Sequence, residues 1–122
     1  MSKIILTVDD SRTMRDMLNL ALVNAGYTVT QAVDGMHGLE VLRAADPPDV
    51  IVTDINMPKL DGFGFIEAVR KEARYRAIPI LVLTTESDAA KKNRARQAGA
   101  TGWIIKPFDP IKLVEAIRRV AA

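Results

Sequence analysis

Cysteine is absent from this chain and histidine occurs once, at His37. The first absence excludes a disulfide scaffold, cysteine-bound zinc, an iron–sulfur cluster and a cysteine nucleophile. The second leaves no histidine metal cage. Aromatic residues make up only 5% of the chain, and 17 basic side chains barely outweigh 15 acidic ones. A nucleic-acid binder concentrates positive charge on one stripe with aromatics between, so no nucleic-acid partner is expected. No apolar run approaches the ~20 residues of a membrane span, so no membrane partner is expected either. Met1-Ser2-Lys3-Ile4 lacks the layout of a signal peptide, and a cytoplasmic protein is the expectation.

What is there is 122 residues, 48% apolar and 26% charged. That is a globular composition and one domain's length, so a single domain over 1–122 is expected. Strand-like and helix-like patterns alternate throughout. Ile4 to Val8 reads as a strand. The following stripe of Met14, Met17, Leu18, Ala21, Leu22 and Ala25 has helical spacing, so both methionines are expected in the core. Ser11 can cap that helix and Gly26 can end it. Thr28 to Ala32 is strand two. Gly35 to Ala45 is helix two, capped by Asp34, with Leu39 and Leu42 inward and His37 exposed. Asp49 to Thr53 is strand three. Gly62 to Ala73 is helix three, with Phe65, Ile66 and Val69 inward. Pro79 to Leu83 is strand four, and Asp88 to Ala98 is helix four, stopped by Gly99. Helix four has few large apolar groups, so it should pack shallowly, with Lys91, Lys92, Arg94 and Arg96 as a solvated face ahead of a docking patch for an acidic peptide. Thr101 to Ile105 is strand five. Asp109-Pro110 then opens helix five, which should bury Leu113, Val114 and Ile117.

Five such units define an α/β protein with a doubly wound (βα)5 parallel sheet of flavodoxin-like type. Central parallel strands are covered on both faces and read as continuous apolar runs. Strands one, three and four do so, whereas strands two and five are mixed, as edges should be. The order 2-1-3-4-5 satisfies this and puts the ligand crevice beyond the carboxyl ends of the strands.

Those ends carry the chemistry. Strand one ends in Asp9-Asp10, strand three in Asp54, strand four in Thr84-Thr85 and strand five in Lys106-Pro107. Clustered carboxylates repel and raise one another's pKa values, and a hard dication relieves this. Carboxylate oxygens and water suit Mg²⁺. A metal and a lysine together can neutralise the oxygens of a transferring phosphoryl group. With no serine–base pair or cysteine present, the nucleophile candidate is a carboxylate. Asp54, alone on a central strand, is the best placed, leaving Asp9 and Asp10 as metal ligands. The loop after strand one has no glycine, which argues against a nucleotide cradle. Singly, Asp9-Asp10 could be helix caps, Asp54 a turn residue and Lys106 a surface lysine. Their coincidence at neighbouring strand ends carries the reading.

Asp9-Asp10, Asp54 followed by Asn56-Met57-Pro58, Thr84 and Lys106-Pro107 together resemble the receiver domain of two-component response regulators. Within that family the chain is similar to stand-alone chemotaxis regulators of CheY type, over essentially its whole length. The resemblance implies that Asp54 takes a phosphoryl group from a histidine kinase. It implies that Asp9, Asp10, Asp54 and the backbone carbonyl of Asn56 hold Mg²⁺, and that Thr84 and Lys106 bind phosphoryl oxygens. It implies a cis bond before Pro107. Asn56 and Glu86 take the family's two tuning positions. Trp103 takes the place of the switch aromatic, usually tyrosine or phenylalanine. The implied output surface is helix four, strand five and helix five, presented to a separate protein such as a flagellar motor switch protein. A phosphatase is a further partner, and a monomer is expected. Two alternatives stand beside this. One is a phosphate sink or relay without motor binding. The other is a Mg²⁺-dependent aspartyl phosphatase, for which Asp61 is the nearby acid–base candidate.

Overall fold

The computed structural model describes residues 3–121. Five parallel strands form one sheet in the order β2-β1-β3-β4-β5. The strands are β1 (Ile4–Val8), β2 (Thr28–Ala32), β3 (Val50–Thr53), β4 (Ile80–Thr84) and β5 (Gly102–Ile105). The helices are α1 (Arg12–Asn24), α2 (Gly35–Ala44), α3 (Gly62–Lys71), α4 (Ala89–Ala98) and α5 (Pro110–Ala121). The doubly wound single-domain architecture is the expected one. The three central strands are apolar on both faces because both are covered, and the two mixed strands lie at the edges.

The two faces divide by the alternation of each strand. Ile5, Val50, Val52, Leu81 and Leu83 pack with Leu18 and Leu22 of α1 and Leu113 and Ile117 of α5. Leu6, Val8, Ile51, Ile80 and Val82 pack with Leu39 and Leu42 of α2, Phe65, Ile66 and Val69 of α3, and Ala95 of α4. Ala95 is the single buried residue of α4, in keeping with shallow packing. Helix starts follow their side-chain caps: Ser11 accepts from Met14 N, Asp34 from His37 N, Asp61 from Gly64 N and Asp88 from Ala90 N.

Four local expectations need correction. Met17 is 46% exposed, not in the core, because the inward stripe narrows to Leu18 and Leu22. Val114 is half-buried rather than buried, since the inward turn of α5 is centred on Leu113 and Ile117. α3 stops at Lys71, and a separate 3₁₀ turn (Ala73–Tyr75) follows. That turn buries Tyr75 completely and lets its hydroxyl donate to the Leu42 carbonyl at 3.2 Å. His37 is half-buried rather than exposed, with Nδ1 accepting the Val33 amide at 3.0 Å.

Two glycines are required by backbone approach. At Gly62 a Cβ would strike the Asp54 carbonyl, so the first turn of α3 can lie against the end of β3 only without a side chain. Gly99 ends α4 at φ 118, a left-handed cap.

Candidate functional site

Parallel-sheet hydrogen bonds run one residue past the strands and bring their ends level. Asp9 N donates to Ala32 O at 3.1 Å, Asp54 N to Val8 O at 3.0 Å, and Lys106 N to Thr84 O at 2.8 Å. Three side chains therefore meet. Lys106 Nζ lies 2.9 Å from Asp9 Oδ2 and 2.8 Å from Asp54 Oδ2. Asp9 is 2% exposed and Asp54 8%. The remaining oxygens are held by backbone: Asp9 Oδ1 accepts from Ser11 N at 2.9 Å, and Asp54 Oδ1 from Ile55 N at 2.6 Å. Arg15 Nη1 donates to the Asp9 carbonyl at 2.7 Å and fixes the chain as it leaves β1. Asp10 stays exposed, yet one oxygen from each of Asp9, Asp10 and Asp54 lies within 4.8 Å of the others.

This cluster is electrostatically frustrated. Burial raises the Asp9 carboxyl above its ordinary value, and the bonds from Lys106 and Ser11 only partly oppose that. Burial alone would push the Lys106 ammonium down. The bonds to Asp54 and Asp9 together outweigh it and hold Lys106 above its usual range. Three carboxylates against one ammonium leave net negative charge facing the cleft. Their donor set is all oxygen, with one ligand exposed to water. That fits a hard divalent cation that keeps part of its hydration shell, and not a thiolate- or imidazole-seeking metal.

A second group of side chains flanks the cleft. Thr84 is fully buried, and its Oγ1 accepts from Glu86 N at 3.3 Å. Thr85 is exposed beside it. Asn56 Nδ2 donates to Glu86 Oε1 at 3.1 Å, joining the loops that follow β3 and β4. Trp103 is half-buried on β5, and its indole Nε1–H donates to the Glu86 carbonyl at 3.1 Å. The Lys106–Pro107 peptide is cis. Lys91, read from sequence as part of a solvated face, instead pairs with Glu86 Oε1 at 3.1 Å. Glu86 precedes α4, so helical spacing gives no warning of the pair. Arg15 escaped notice in the same way, because its partner is a backbone carbonyl.

Asp61 stands apart from this group. Its carboxylate accepts from Gly64 N at 2.9 Å and caps α3.

The fold and this rim define a flavodoxin-like α/β protein with a metal-ready acidic cleft at the topological switch point. The chain belongs to the response regulator receiver domain family, whose model matches residues 5–118. It is 38% identical over 117 residues to chemotaxis protein CheY1 of Helicobacter pylori, covering 95% of this chain and 94% of that protein. It is 35% identical to the sensor histidine kinase CheAY of the same organism, over 95% of this chain but only 15% of that protein's length. The solved structure of Vibrio cholerae CheY4 has a TM-score of 0.92 at 43% identity, covering 98% of this chain and 99% of that one. The receiver domain of the Pseudomonas aeruginosa sensor histidine kinase PA1611 was solved with a magnesium ion coordinated in its active site cleft. Its TM-score is 0.91 at 26% identity, covering 99% of this chain and 98% of that one. Among the described residues no helix is long and apolar enough to cross a membrane.

Proposed function

We propose that this receiver domain is a CheY-like phosphoacceptor of the cytoplasm. In this reading Asp54 takes a phosphoryl group from a histidine kinase, and the α4–β5–α5 surface then changes its affinity for an output protein. One observation carries the proposal: Lys106 Nζ bridges Asp9 and Asp54, with Asp10 in reach of both. Asp9, Asp10, Asp54 and the backbone carbonyl of Asn56 are the proposed Mg²⁺ ligands. The ion, when bound, would supply charge neutralisation for the transferring oxygens.

The chain's own residues do the rest. The Asp54 carboxylate forms a bond to phosphorus as the phosphohistidine P–N bond breaks, and the imidazole leaves with the bonding pair. Lys106, already oriented on Asp54, is placed to follow the new oxygens. Thr84 reaches them by exchanging its contact with Glu86 N for one to the phosphoryl group. Phosphorylation takes Asp54 from about −1 to roughly −2 in charge and adds acceptor oxygens. A difference in Thr84 and Lys106 bonding between two conformations then shifts their populations. A coupling of ~1–3 kcal/mol would change partner affinity about 5–150-fold. Trp103 reports that change because its indole is bonded to the loop that Thr84 would pull.

The CheY relatives support an output partner in chemotaxis, with a flagellar motor switch protein as the first candidate and a monomer as the working state. The sink or relay reading differs only in that partner. The aspartyl phosphatase reading loses its acid–base residue, since Asp61 is spent on the cap of α3.

The test uses acetyl phosphate with Mg²⁺, read by intact mass and by fluorescence of Trp103, the sole tryptophan. One phosphoryl group and a concurrent fluorescence change are expected, both absent with EDTA and in Asp54→Asn. Phosphorylation of Asp54→Asn would sink the assignment. Motor-switch binding indifferent to phosphorylation would favour the sink.

A further inference from the structure

Glu86 collects contacts from four other residues. Its amide donates to Thr84 Oγ1 at 3.3 Å, and its carbonyl accepts from Trp103 Nε1 at 3.1 Å. Those backbone bonds would survive any side chain at this position. The carboxylate is held differently. A single oxygen, Oε1, takes Asn56 Nδ2 at 3.1 Å and Lys91 Nζ at 3.1 Å. The Glu86 carboxylate is thus tied at one oxygen to the loop after β3 and to α4.

Lys91 is an odd residue for its place. It is the third residue of α4, in the first turn, where the helix dipole disfavours a cation. Nothing in helix formation asks for it there. Its ammonium instead spans from α4 to the carboxylate that bridges the β3 and β4 loops. That bridge ties together the two loops that leave the cleft residues, Asn56 being two residues past Asp54 and Glu86 two past Thr84.

We propose that Lys91 is a positioning residue for the lifetime of the phosphorylated state. It keeps the Glu86 carboxylate neutralised and pinned against Asn56, and the closed bridge restricts the approach of water. The inference rests on the phosphoacceptor reading of Asp54. The step it controls is hydrolysis. Water forms a new P–O bond as the bond from phosphorus to the Asp54 oxygen breaks. The carboxylate leaves with the bonding pair, and the attacking water's proton passes to a phosphate oxygen. Without Lys91 the carboxylate is left with one neutral hydrogen bond and is no longer pinned. Hydrolysis then accelerates about two- to fivefold, the range an exposed ion pair can supply.

The experiment loads the protein with acetyl phosphate and Mg²⁺, removes the donor by desalting, and follows loss of the phosphoryl mass. Lys91→Met should decay about two- to fivefold faster, and Lys91→Arg should restore the parent rate. In a Glu86→Ala background Lys91→Met should change nothing, a dependence that a merely structural role for Lys91 would not produce. Equal or slower decay in Lys91→Met overturns the inference, as does an effect that persists without Glu86. Normal uptake with decay indifferent to Lys91 overturns this inference alone. Failure of the parent to take up phosphate overturns the reading beneath it as well.

Discussion

Thr7 in β1 and Asp9 one residue past its end are both polar groups that the fold buries at some expense. Thr7 is fully buried in β1, and its hydroxyl has no hydrogen-bond partner among the described residues. Its neighbours by strand alternation are Ile5 and the apolar α1–α5 face. An orphaned buried hydroxyl costs about 1–3 kcal/mol, and valine has nearly the same shape. Thr7→Val should therefore stabilise the protein by ~1 kcal/mol or more, seen as a higher urea midpoint at unchanged slope. A lower midpoint would mean that the hydroxyl has a use the structure hides. Asp9 gives a prediction with a pH signature. Its folded pKa is raised, burial being the largest cause, so the fold prefers the neutral form. Asp9's stabilising contribution is full below the unfolded value near 3.9 and is lost as pH rises through the raised folded value. Asp9→Asn should therefore raise the melting temperature at pH 7, and the advantage should shrink as the pH falls through the raised folded value and be gone below about 4. An advantage that does not vary with pH would rule out the carboxylate charge as its origin. The acids and Lys106 were legible in the sequence because each ends a strand. The Thr7 deficit was not, since threonine suits any strand and only the packed neighbours reveal a missing partner.

At the scale of elements, α4 buries fewer residues than any of the other four helices. Ala95 alone is buried, so little apolar area anchors the helix. Its hold comes from side chains that cross between α3 and α4. The Arg94 guanidinium lies 4.1 Å over the Phe63 ring. Arg70 clamps the far end, with Nε and Nη2 donating to the Gly99 carbonyl at 3.0 and 2.9 Å while Nη1 holds the Tyr75 and Arg76 carbonyls. Gly99 sits at φ 118, and a Cβ there would meet Arg70 Cγ at 2.6 Å. Arg70 cannot step aside without giving up those bonds. Gly99→Ala should cost about 1–3 kcal/mol, measured by denaturant unfolding. An unchanged midpoint would show that the cap is not under this constraint. The sequence marked Gly99 as the stop of helix four and foresaw shallow packing from the scarcity of large apolar groups. It could not reveal the Arg70 clamp, because those bonds end on carbonyls, which every residue possesses. Met17 failed for a related reason. Helical spacing alone made it core, but α1 is covered along a strip too narrow to include it.

At the scale of the molecule, the sheet order follows from polarity and places four strand ends on one rim. The rim's acids then follow from local sequence. The cross-links beside it, Asn56 to Glu86 to Lys91, depend on how two loops fold toward each other, and no periodicity encodes that. The acidic cleft predicts a coupling between metal and global stability. Asp10 is the residue that isolates it. Asp9 and Asp54 are tied to Lys106 and to backbone amides, so changing either alters the metal-free fold as well. Asp10 is exposed and makes no such bond among the described residues, although its carboxylate lies within 4.8 Å of theirs. Replacing it should leave metal-free stability within about 0.5 kcal/mol, as at other surface sites. A ligand that binds only the folded state stabilises it by RT ln(1 + [L]/Kd), which is about 1.4 kcal/mol at tenfold over Kd. The parent's melting temperature should therefore rise by several degrees across a Mg²⁺ titration at constant ionic strength. Asp10→Ala should start from the same melting temperature and show almost none of that rise. A full rise in Asp10→Ala would place the ion elsewhere on the molecule. No rise in the parent would mean that Lys106 alone balances the acids, and that the cleft takes its cation only together with the phosphoryl group.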